Sequence, residues 1–496
     1  MNTASEYSSF EKERLVSLLV ERDHEIDKLH HLLIQARKNL FGKKSEKLSS
    51  ANQTELFSFA APAVEEEASS EAAVIEVPSH TRKVRKKREL PGDIERERIE
   101  YDIPDPRCPC CQKEMPVIGE ETSEELEFIP AQFKVLEHVR FKRACGTCKN
   151  GVYTPTLPPE VKPLERRAAG AGLVAQILVS KYQDHQPLYR QEQIFARHGI
   201  TIPRRLMCGW VEGAVELLMP LYEELKKELL QESYLQADET GLKVQDPEVK
   251  GKLHQGYLWG MLSPSNKVLF HYAESRAGEV PRELFKDFRG AIQTDAYAGY
   301  NKVYIPDRCR RVACLAHIRR KFIESEASAK AKSGKILGLI AELYKLERKF
   351  KDDPPEERMR RRKKKSFPIF KKLYRLLRAL KKETLPQAAF QKALSYAYDQ
   401  RYAMLAVLRD GRFEIDNNLI ENQMRPVALG RKNYLFAGSH DGAKRAAVIY
   451  SLLGTCKLNG VNPFNWLRDV LRRVHSKGTT AAELLPQRWK HGSKKA

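Results

Sequence analysis

Five short strand-like runs between residues 234 and 315 constrain the fold of this chain more than any other feature. The runs are Tyr234 to Ala237, Gly256 to Leu262, Lys267 to Tyr272, Ala291 to Thr294 and Val312 to Leu315. Three runs come in succession, and the last two alternate with helical patterns, which predicts a mixed sheet with helices around it. Residues 317 to 410 are charged and carry helical apolar faces, which predicts a helical insertion after the sheet.

Acidic residues stand where two of these runs end. Asp238 follows the first run and Asp295 follows the fourth, while Glu421 lies downstream in the run Asp416 to Glu421. A single Asp at a strand end is usually a turn or cap residue. Three carboxylates from adjacent elements, however, provide the hard oxygen ligands that two Mg²⁺ ions need for phosphoryl transfer. We therefore expect a magnesium site for phosphate chemistry.

Amide and cationic side chains surround Glu421. If residues 416–424 are helical, Asn417, Glu421 and Arg425 share one face at steps of four, with Asn418 one step aside. Pro426 is expected to end this helix.

Further basic residues are candidates for phosphate contact. The run Gly430 to Asn433, which contains Arg431 and Lys432, resembles a phosphate-gripping loop. Arg319 and Arg320 follow the fifth run and are expected to contact DNA phosphates. His317 precedes them. A lone His is usually structural, but its position at a strand exit makes it a candidate to support the acids.

The charge of the chain favours a polyanionic partner. Its 87 Lys and Arg outnumber 65 Asp and Glu, so the formal net charge is +22. The alternative is a basic protein whose charge only prevents association. Basic runs at residues 82–88 and 360–365 favour phosphate binding, although the second could be a solvated helix face. No apolar stretch approaches the roughly 20 residues of a membrane span, and we expect a cytoplasmic protein without membrane contact.

Two C-x₂-C pairs predict a structural metal site. Cys108 and Cys111 form the first pair, and Cys145 and Cys148 form the second. Four thiolates complete a tetrahedral Zn²⁺ site. A redox dithiol is the alternative, although one pair would then suffice. Cys110 could compete as a ligand.

The N-terminal part carries an apolar stripe from Leu15 to Leu40 with heptad spacing, which predicts a coiled coil that joins subunits into a homo-oligomer. A surface helix packed on its own domain is the alternative. Residues 51–81 are rich in Ala, Ser, Glu and Pro, which is typical of a disordered linker.

Two helical patterns flank Gly199 in the region from residue 170 to 231. This order resembles a DNA-binding helix-turn-helix, although any αα-hairpin has a similar pattern.

The motifs together resemble the DDE transposases of the insertion-sequence-sixty-six family of bacterial mobile elements over nearly the whole chain. The matching stretches are Leu40 to Gly42, Ser45 to Leu48, the two cysteine pairs, Lys181-Tyr182, Asp184-His185, Pro187 to Gln191, Ala237 to Thr240, Gln293 to Asp295, Tyr297 to Tyr300, Asp416 to Asn418, Gly430 to Asn433 and Leu435 to Ser439.

This resemblance implies a multidomain α+β chain with an RNase H-like α/β catalytic core, in which Asp238, Asp295 and Glu421 hold Mg²⁺. The expected divisions are a coiled-coil helix (1–50), a linker (51–81), a zinc-binding module (82–160), a helical DNA-binding region (161–231), a catalytic domain (232–440) with a helical insertion at about 323–410, and C-terminal helices with a basic tail (441–496).

The implied activity is Mg²⁺-dependent cleavage at the element ends, followed by attack of the freed 3′-hydroxyl on target DNA. The resemblance also suggests accessory proteins from the same element and a location at the bacterial nucleoid. Two rival interpretations are an inactive DNA-binding derivative and an RNase H-like nuclease that does not join strands.

Two departures from the family pattern bear on these expectations. Asn422 follows Glu421 where members usually have Arg, which could weaken catalysis. Residues 204–208 replace the usual Ser and Thr, which could change the recognition of element ends.

Overall fold

The computed structural model describes residues 133–144, 152–154, 169–245, 251–384, 388–476 and 478–489. The four zinc-site cysteines, the apolar stripe, the linker and the basic run 82–88 lie outside these residues. The chain divides into residues 61–139 and a second unit made of the rest. Of the first unit only residues 133–139 are described, and the sheet and the acids belong to the second.

A five-stranded mixed sheet forms the centre of the second unit. Its strands are β3 (Tyr234–Gln245), β4 (Leu253–Ser263), β5 (Lys267–Ala273), β6 (Gly290–Thr294) and β7 (Cys309–Ala313), and a separate antiparallel pair consists of β1 (Arg143–Ala144) and β2 (Val152–Tyr153). The order across the sheet is β5-β4-β3-β6-β7. The first three strands are antiparallel, whereas β6 and β7 are parallel to β3. The predicted mixed sheet is therefore confirmed.

Strand β3 is longer than predicted. It does not end at Ala237 but continues through Asp238 to Gln245. The reason is tertiary, because β4 pairs with β3 from Gln236 to Gln245, well beyond the three residues that pair with β6.

Helices cover both faces of the sheet. They are α1 (Ala171–Tyr182), α2 (Leu188–Arg197), α3 (Arg204–Leu230), α4 (Glu279–Leu284), α5 (Leu315–Glu324), α6 (Lys330–Lys349), α7 (Pro355–Arg361), α8 (Phe367–Glu383), α9 (Ala389–Asp399), α10 (Arg401–Leu405), α11 (Asn418–Tyr434), α12 (His440–Leu458), α13 (Pro463–Arg473) and α14 (Ala481–Leu484). No helix in the described ranges has both the length and the apolar character that a membrane crossing requires.

Two apolar cores follow from the alternation of side chains along the strands. Leu235 and Ala237 of β3 point into a core shared with α1, α3, α12 and α13. Tyr234 lies on the other face, in a second core that is built mainly by helices α5 to α10. Asp238 follows Tyr234 by four residues in β3, so its side chain lies on the same face of the sheet as Tyr234, toward the helical segment.

Helix α12 covers the outer strand β5. The hydroxyl oxygens of Thr455 and Ser451 accept hydrogen bonds from the backbone N–H groups of Val268 (3.2 Å) and Phe270 (2.7 Å). An uncovered edge strand presents such donors to other chains, so these bonds protect the sheet.

A buried charge network holds the helical segment together. The guanidinium of Arg362 is fully buried and donates to both carboxylate oxygens of Glu347, at 2.9 and 2.7 Å. Arg358 bridges Glu347 (3.2 Å) and Glu414 (2.7 Å). Because Glu414 precedes α11, the network connects the helical segment to the element that carries Glu421.

Candidate active site

The register of β3 and β6 brings the two aspartates to one edge of the sheet. Gln236 pairs with Gln293 in the parallel ladder, and Asp238 and Asp295 each follow two residues later. Continuing this register places the two aspartates opposite each other on the same face. Asp238 is still within β3, whereas Asp295 follows the end of β6. The Oδ1 atom of Asp295 accepts the N–H of Tyr297 at 2.9 Å, which orients that carboxylate.

Buried amide side chains attach the third acidic segment to the sheet. The Nε2 atom of Gln236 donates to Gln293 Oε1 (2.9 Å) and to the carbonyl of Asp416 (3.0 Å), and its Oε1 atom accepts the N–H of Ile420 (3.2 Å). Gln293 donates to the carbonyls of Ala313 (2.9 Å) and Glu414 (2.8 Å). Neither glutamine was predicted as part of the site, although a Gln-x-Asp pattern ends at both aspartates.

Asn417 occupies the position just before α11 and is fully buried. Its side-chain Nδ2 donates to the carbonyl of Ala237 at 2.9 Å, and its backbone N–H donates to the Sγ atom of Cys314 at 3.2 Å. The predicted helical face of Asn417, Glu421 and Arg425 is therefore wrong for Asn417, because the helix begins at Asn418 and the Asn417 amide binds β3 instead. Asn418 donates from Nδ2 to Asp416 Oδ2 at 2.9 Å.

Glu421 lies in the first turn of α11 and faces α5. Its Oε1 atom is 3.9 Å from His317 Nε2, and its Oε2 atom is 3.9 Å from Arg320 Nη2. Burial lowers the pKa of His317, although the charge of Glu421 acts in the opposite direction. The imidazole is therefore neutral near pH 7. Glu421 Oε1 is buried and has no hydrogen-bond partner among the described residues.

Negative charge is concentrated around Asp238. Burial raises the pKa of this carboxyl well above its usual range, and the charges of Glu239, Glu421 and Asp295 raise it further. A divalent cation bound among these carboxylates would offset both the cost of burying the charge of Asp238 and the repulsion from its neighbours. Their hard oxygen atoms and the unpaired Glu421 Oε1 are suited to such an ion. In the described part of the chain, however, no three His, Cys, Asp or Glu side chains lie in a group that could hold a metal ion as it stands.

Glu239, next to Asp238 in sequence, is occupied by other partners. Its Oε1 atom accepts from Arg276 at 2.9 and 2.5 Å, and its Oε2 atom accepts from the hydroxyl of Tyr300 at 2.9 Å. The guanidinium of Arg276 lies 3.8 Å from the ring centroid of Tyr297. These contacts neutralise Glu239 on the face of β3 opposite to Asp238.

Helix α11 does not end at Pro426 as predicted but continues to Tyr434. Buried residues after the proline explain the continuation: Val427 and Gly430 are buried, and a methyl group added to Gly430 would lie only 2.5 Å from the hydroxyl of Tyr450. This close packing outweighs the cost of about 3 kcal/mol that an interior Pro imposes.

Because α11 continues, Gly430 to Asn433 form its last turn and not the predicted loop. Arg431 donates from Nη1 to Thr240 Oγ1 (2.7 Å) and to the carbonyl of Gly241 (2.5 Å). Its head group therefore binds β3, in contrast to the expected phosphate contact. Lys432 and Arg425 are exposed on the same helix.

Arg319 and Arg320 lie on α5, directly after β7. Arg320 is exposed and is close to Glu421, so it borders the acids as a candidate for phosphate contact. Arg319 is half-buried.

A helix, turn and helix precede the sheet. Helix α2 ends at Arg197, Gly199 adopts a φ of 78°, and α3 begins at Arg204. This confirms the predicted glycine turn between two helices. Arg190 of α2 donates from Nη1 to Asn433 Oδ1 of α11 at 2.8 Å, which joins this region to the helix that carries Glu421.

Comparison with known protein families gives matches along most of the chain. The Transposase IS66 family matches residues 166–445, and the IS66 C-terminal element matches residues 451–487. The zinc-finger binding domain of transposase IS66 matches residues 105–149, a range that contains all four cysteines of the C-x₂-C pairs. A fourth family, described as Transposase C of IS166 homeodomain, matches residues 28–99.

Three similar proteins come from Sinorhizobium fredii (strain NBRC 101917 / NGR234). Uncharacterized protein y4jD is 34% identical over 415 residues, which cover 79% of this chain and 80% of that protein. Uncharacterized protein y4hP is 32% identical over 92% of this chain and 88% of its own length. Uncharacterized protein y4qI is 31% identical over 95% and 90%. With the family match over more than half of its length, the chain belongs to the IS66 family of transposases.

Proposed function

We propose that this chain is a DNA transposase with an RNase H-like core, in which Asp238, Asp295 and Glu421 hold two Mg²⁺ ions. The observation that carries the proposal is geometric: the register of β3 and β6 brings Asp238 and Asp295 to one edge of the sheet, and hydrogen bonds from Gln236 and Asn417 hold the start of α11, the helix of Glu421, against β3. The sheet order β5-β4-β3-β6-β7, with three antiparallel strands followed by two parallel ones, supports the RNase H-like assignment.

When bound, Mg²⁺ would activate the attacking oxygen and stabilise the leaving oxygen of an in-line displacement at phosphorus. Asp238 in β3 and Asp295 directly after β6 would provide ligands from the sheet edge, and Glu421 would provide one from α11. Gln236, Gln293 and Asn417 hold α11 against the strand that carries Asp238. Arg320 beside Glu421 is placed to contact the DNA backbone, and His317 lies 3.9 Å from the Glu421 carboxylate as a candidate to support it.

Other parts of the proposal concern the remainder of the chain. Cys108, Cys111, Cys145 and Cys148 would bind one structural Zn²⁺, which the zinc-finger match supports. The stripe from Leu15 to Leu40 would pair subunits so that two element ends are handled together. Accessory proteins of the same element could join this complex.

The decisive experiment is a cleavage and strand-transfer assay on DNA that carries the ends of the element, with and without Mg²⁺. Asp238→Ala and Asp295→Ala should each abolish cleavage while DNA binding is retained. Asp399→Ala, at the exposed end of α9, is the matched control and should cleave like the wild type.

The outcomes distinguish the rival functions. Cleavage without strand transfer would indicate a nuclease, and binding without cleavage by the wild type would indicate an inactive derivative. Undiminished cleavage by Asp238→Ala would refute the proposed site.

A further inference from the structure

A cavity of about 540 Å³ lies at the end of the parallel strands opposite to the acids. It is lined by residues at the start of β6 and β7, including Gly290 and Cys309, and by the segment from Asp410 to Phe413. Strand β6 runs from Gly290 to Thr294 before Asp295 follows. At about 3.3 Å per residue, these five steps separate the cavity from the acids by roughly 16 Å along the strand. The cavity is therefore distinct from the proposed active site.

Arginines dominate the lining of this cavity. Arg289, Arg308, Arg310 and Arg412 face two acids, Asp307 and Asp410. The acid Asp410 is already paired, because Arg412 donates to it from Nε (3.0 Å) and Nη2 (2.6 Å). The three positive charges of the other arginines outnumber the single negative charge of Asp307, so the cavity has a net positive charge.

Arg289, Arg308 and Arg310 have no carboxylate partner among the described residues. Arg308 donates from Nη1 to the carbonyl of Lys286 at 2.9 Å, but its buried Nε has no hydrogen-bond partner among the described residues. Within the same part of the chain, the side chains of Arg289 and Arg310 form no hydrogen bond or ion pair, and both residues are exposed. The guanidinium donors of these arginines at the cavity therefore remain available to an anionic ligand.

We propose that this cavity binds phosphate groups. Guanidinium groups match the oxygen geometry of phosphate and bind it by paired charge-assisted hydrogen bonds. The volume is within the range of small-molecule sites, so it can hold two linked phosphates. Two sources share this chemistry: the backbone of a DNA segment remote from the cleaved phosphodiester, and a free polyphosphate. The proposal does not depend on the Mg²⁺ chemistry of Asp238, Asp295 and Glu421.

The test uses the full-length protein with Arg289→Gln and Arg310→Gln combined, and separately with Arg308→Gln. Titration calorimetry measures inorganic pyrophosphate, and fluorescence anisotropy measures duplex DNA over a series of salt concentrations. The control variant combines Lys371→Gln and Lys372→Gln, two exposed lysines of α8 outside the cavity, and removes the same charge as the double arginine variant.

We expect the wild type and the lysine control to bind pyrophosphate, and both arginine variants to bind it at least tenfold more weakly. If DNA is the natural source, the double arginine variant also binds duplex more weakly, and its salt slope falls by about two. If free polyphosphate is the source, duplex affinity stays unchanged while pyrophosphate binding is lost.

No pyrophosphate binding by the wild type, or an equal loss in the lysine control, would overturn the proposal. Catalysis by the acids is not involved in either measurement, so failure of the active-site assignment would leave these results unaffected.

Discussion

Gln236 and Gln293 are joined by a buried side-chain hydrogen bond of 2.9 Å across β3 and β6, two residues before Asp238 and Asp295. The same pair bonds to the backbone of Glu414 and Asp416, which precede α11, and to that of Ile420 in its first turn. The relative position of all three proposed acids therefore depends on these two amides.

Replacing Gln293 by Leu should lower the stability of the catalytic part by about 3 kcal/mol, because buried groups left without partners cost about 1–3 kcal/mol each. The hydroxyl of Tyr234 would lose its 2.5 Å acceptor, and the carbonyls of Ala313 and Glu414 would lose a donor. The measurement is the midpoint of urea unfolding. Gln255→Leu is the control, since the amide of this exposed residue donates one hydrogen bond, to the neighbouring Gly256 carbonyl, and its loss should change stability by less than about 0.5 kcal/mol. Equal effects would contradict the role of the network.

Asp238→Asn should raise the melting temperature in the absence of divalent ions. Burial and the nearby charges of Glu239, Glu421 and Asp295 disfavour the ionised carboxyl and raise its pKa, whereas the Asn oxygen still accepts the N–H of Glu239. Mg²⁺ should stabilise the wild type more than this variant, because bound metal stabilises the folded state. Thermal melts with and without Mg²⁺ test both statements. Equal stabilisation of the two proteins by Mg²⁺ would argue against Asp238 as a ligand.

The buried carboxyl of Asp416 should make the free energy of unfolding depend on pH. Burial raises its pKa from 3.8 to about 6, although Asn418 and Tyr344 donate hydrogen bonds to it. The folded state therefore binds more protons than the unfolded state between these values, and stability falls as pH rises through 6. The loss between about pH 5 and pH 7.5 should be roughly 1–2 kcal/mol. Urea unfolding at both pH values should show a smaller loss for Asp416→Asn, and an unchanged loss would show that another group is responsible.

Leu435→Gly should stabilise the protein by about 0.5–1 kcal/mol, because a non-glycine residue with positive φ is strained. Leu435 ends α11 with a φ of 66° and is 66% exposed, so little apolar burial is lost. Leu419→Gly is the control, since Leu419 is 41% exposed within the same helix and its replacement should destabilise by about 1 kcal/mol. Thermal melts of both variants give the comparison, and destabilisation by both would refute strain at Leu435.

Much of the sheet could be predicted because strand patterns are local. The apolar runs at β4, β5 and β6 agree closely with the observed strands. The run at β3 was too short at its end, because β3 carries polar residues after Asp238. The run at β7 was wrong at both ends: β7 begins with Cys309, Arg310 and Arg311, which interrupt the apolar pattern, and it ends at Ala313 because Leu315 starts α5. Pairing with neighbouring strands extends both.

Around the acids, prediction from sequence was limited by contacts between distant segments. The hydrogen bond from Gln236 to Asp416 joins residues 180 positions apart, and the one from Arg431 to Thr240 joins residues 191 apart. No local pattern distinguishes a cation that binds phosphate from one that binds the end of a strand. Arg431 binds β3 in this structure, so its contact with phosphate stays a prediction, whereas Pro426 was given more influence on α11 than the packing of the helix allows.

The sequence by itself determined the mixed sheet, the identity of the candidate acids and the family resemblance, because these depend on residue type and local spacing. Only the tertiary structure decided that β3 continues past Asp238, that α11 passes through Pro426, and that two glutamines attach that helix to the sheet. These outcomes depend on burial and hydrogen bonding between remote segments, whose free energies exceed the local preferences of the residues involved.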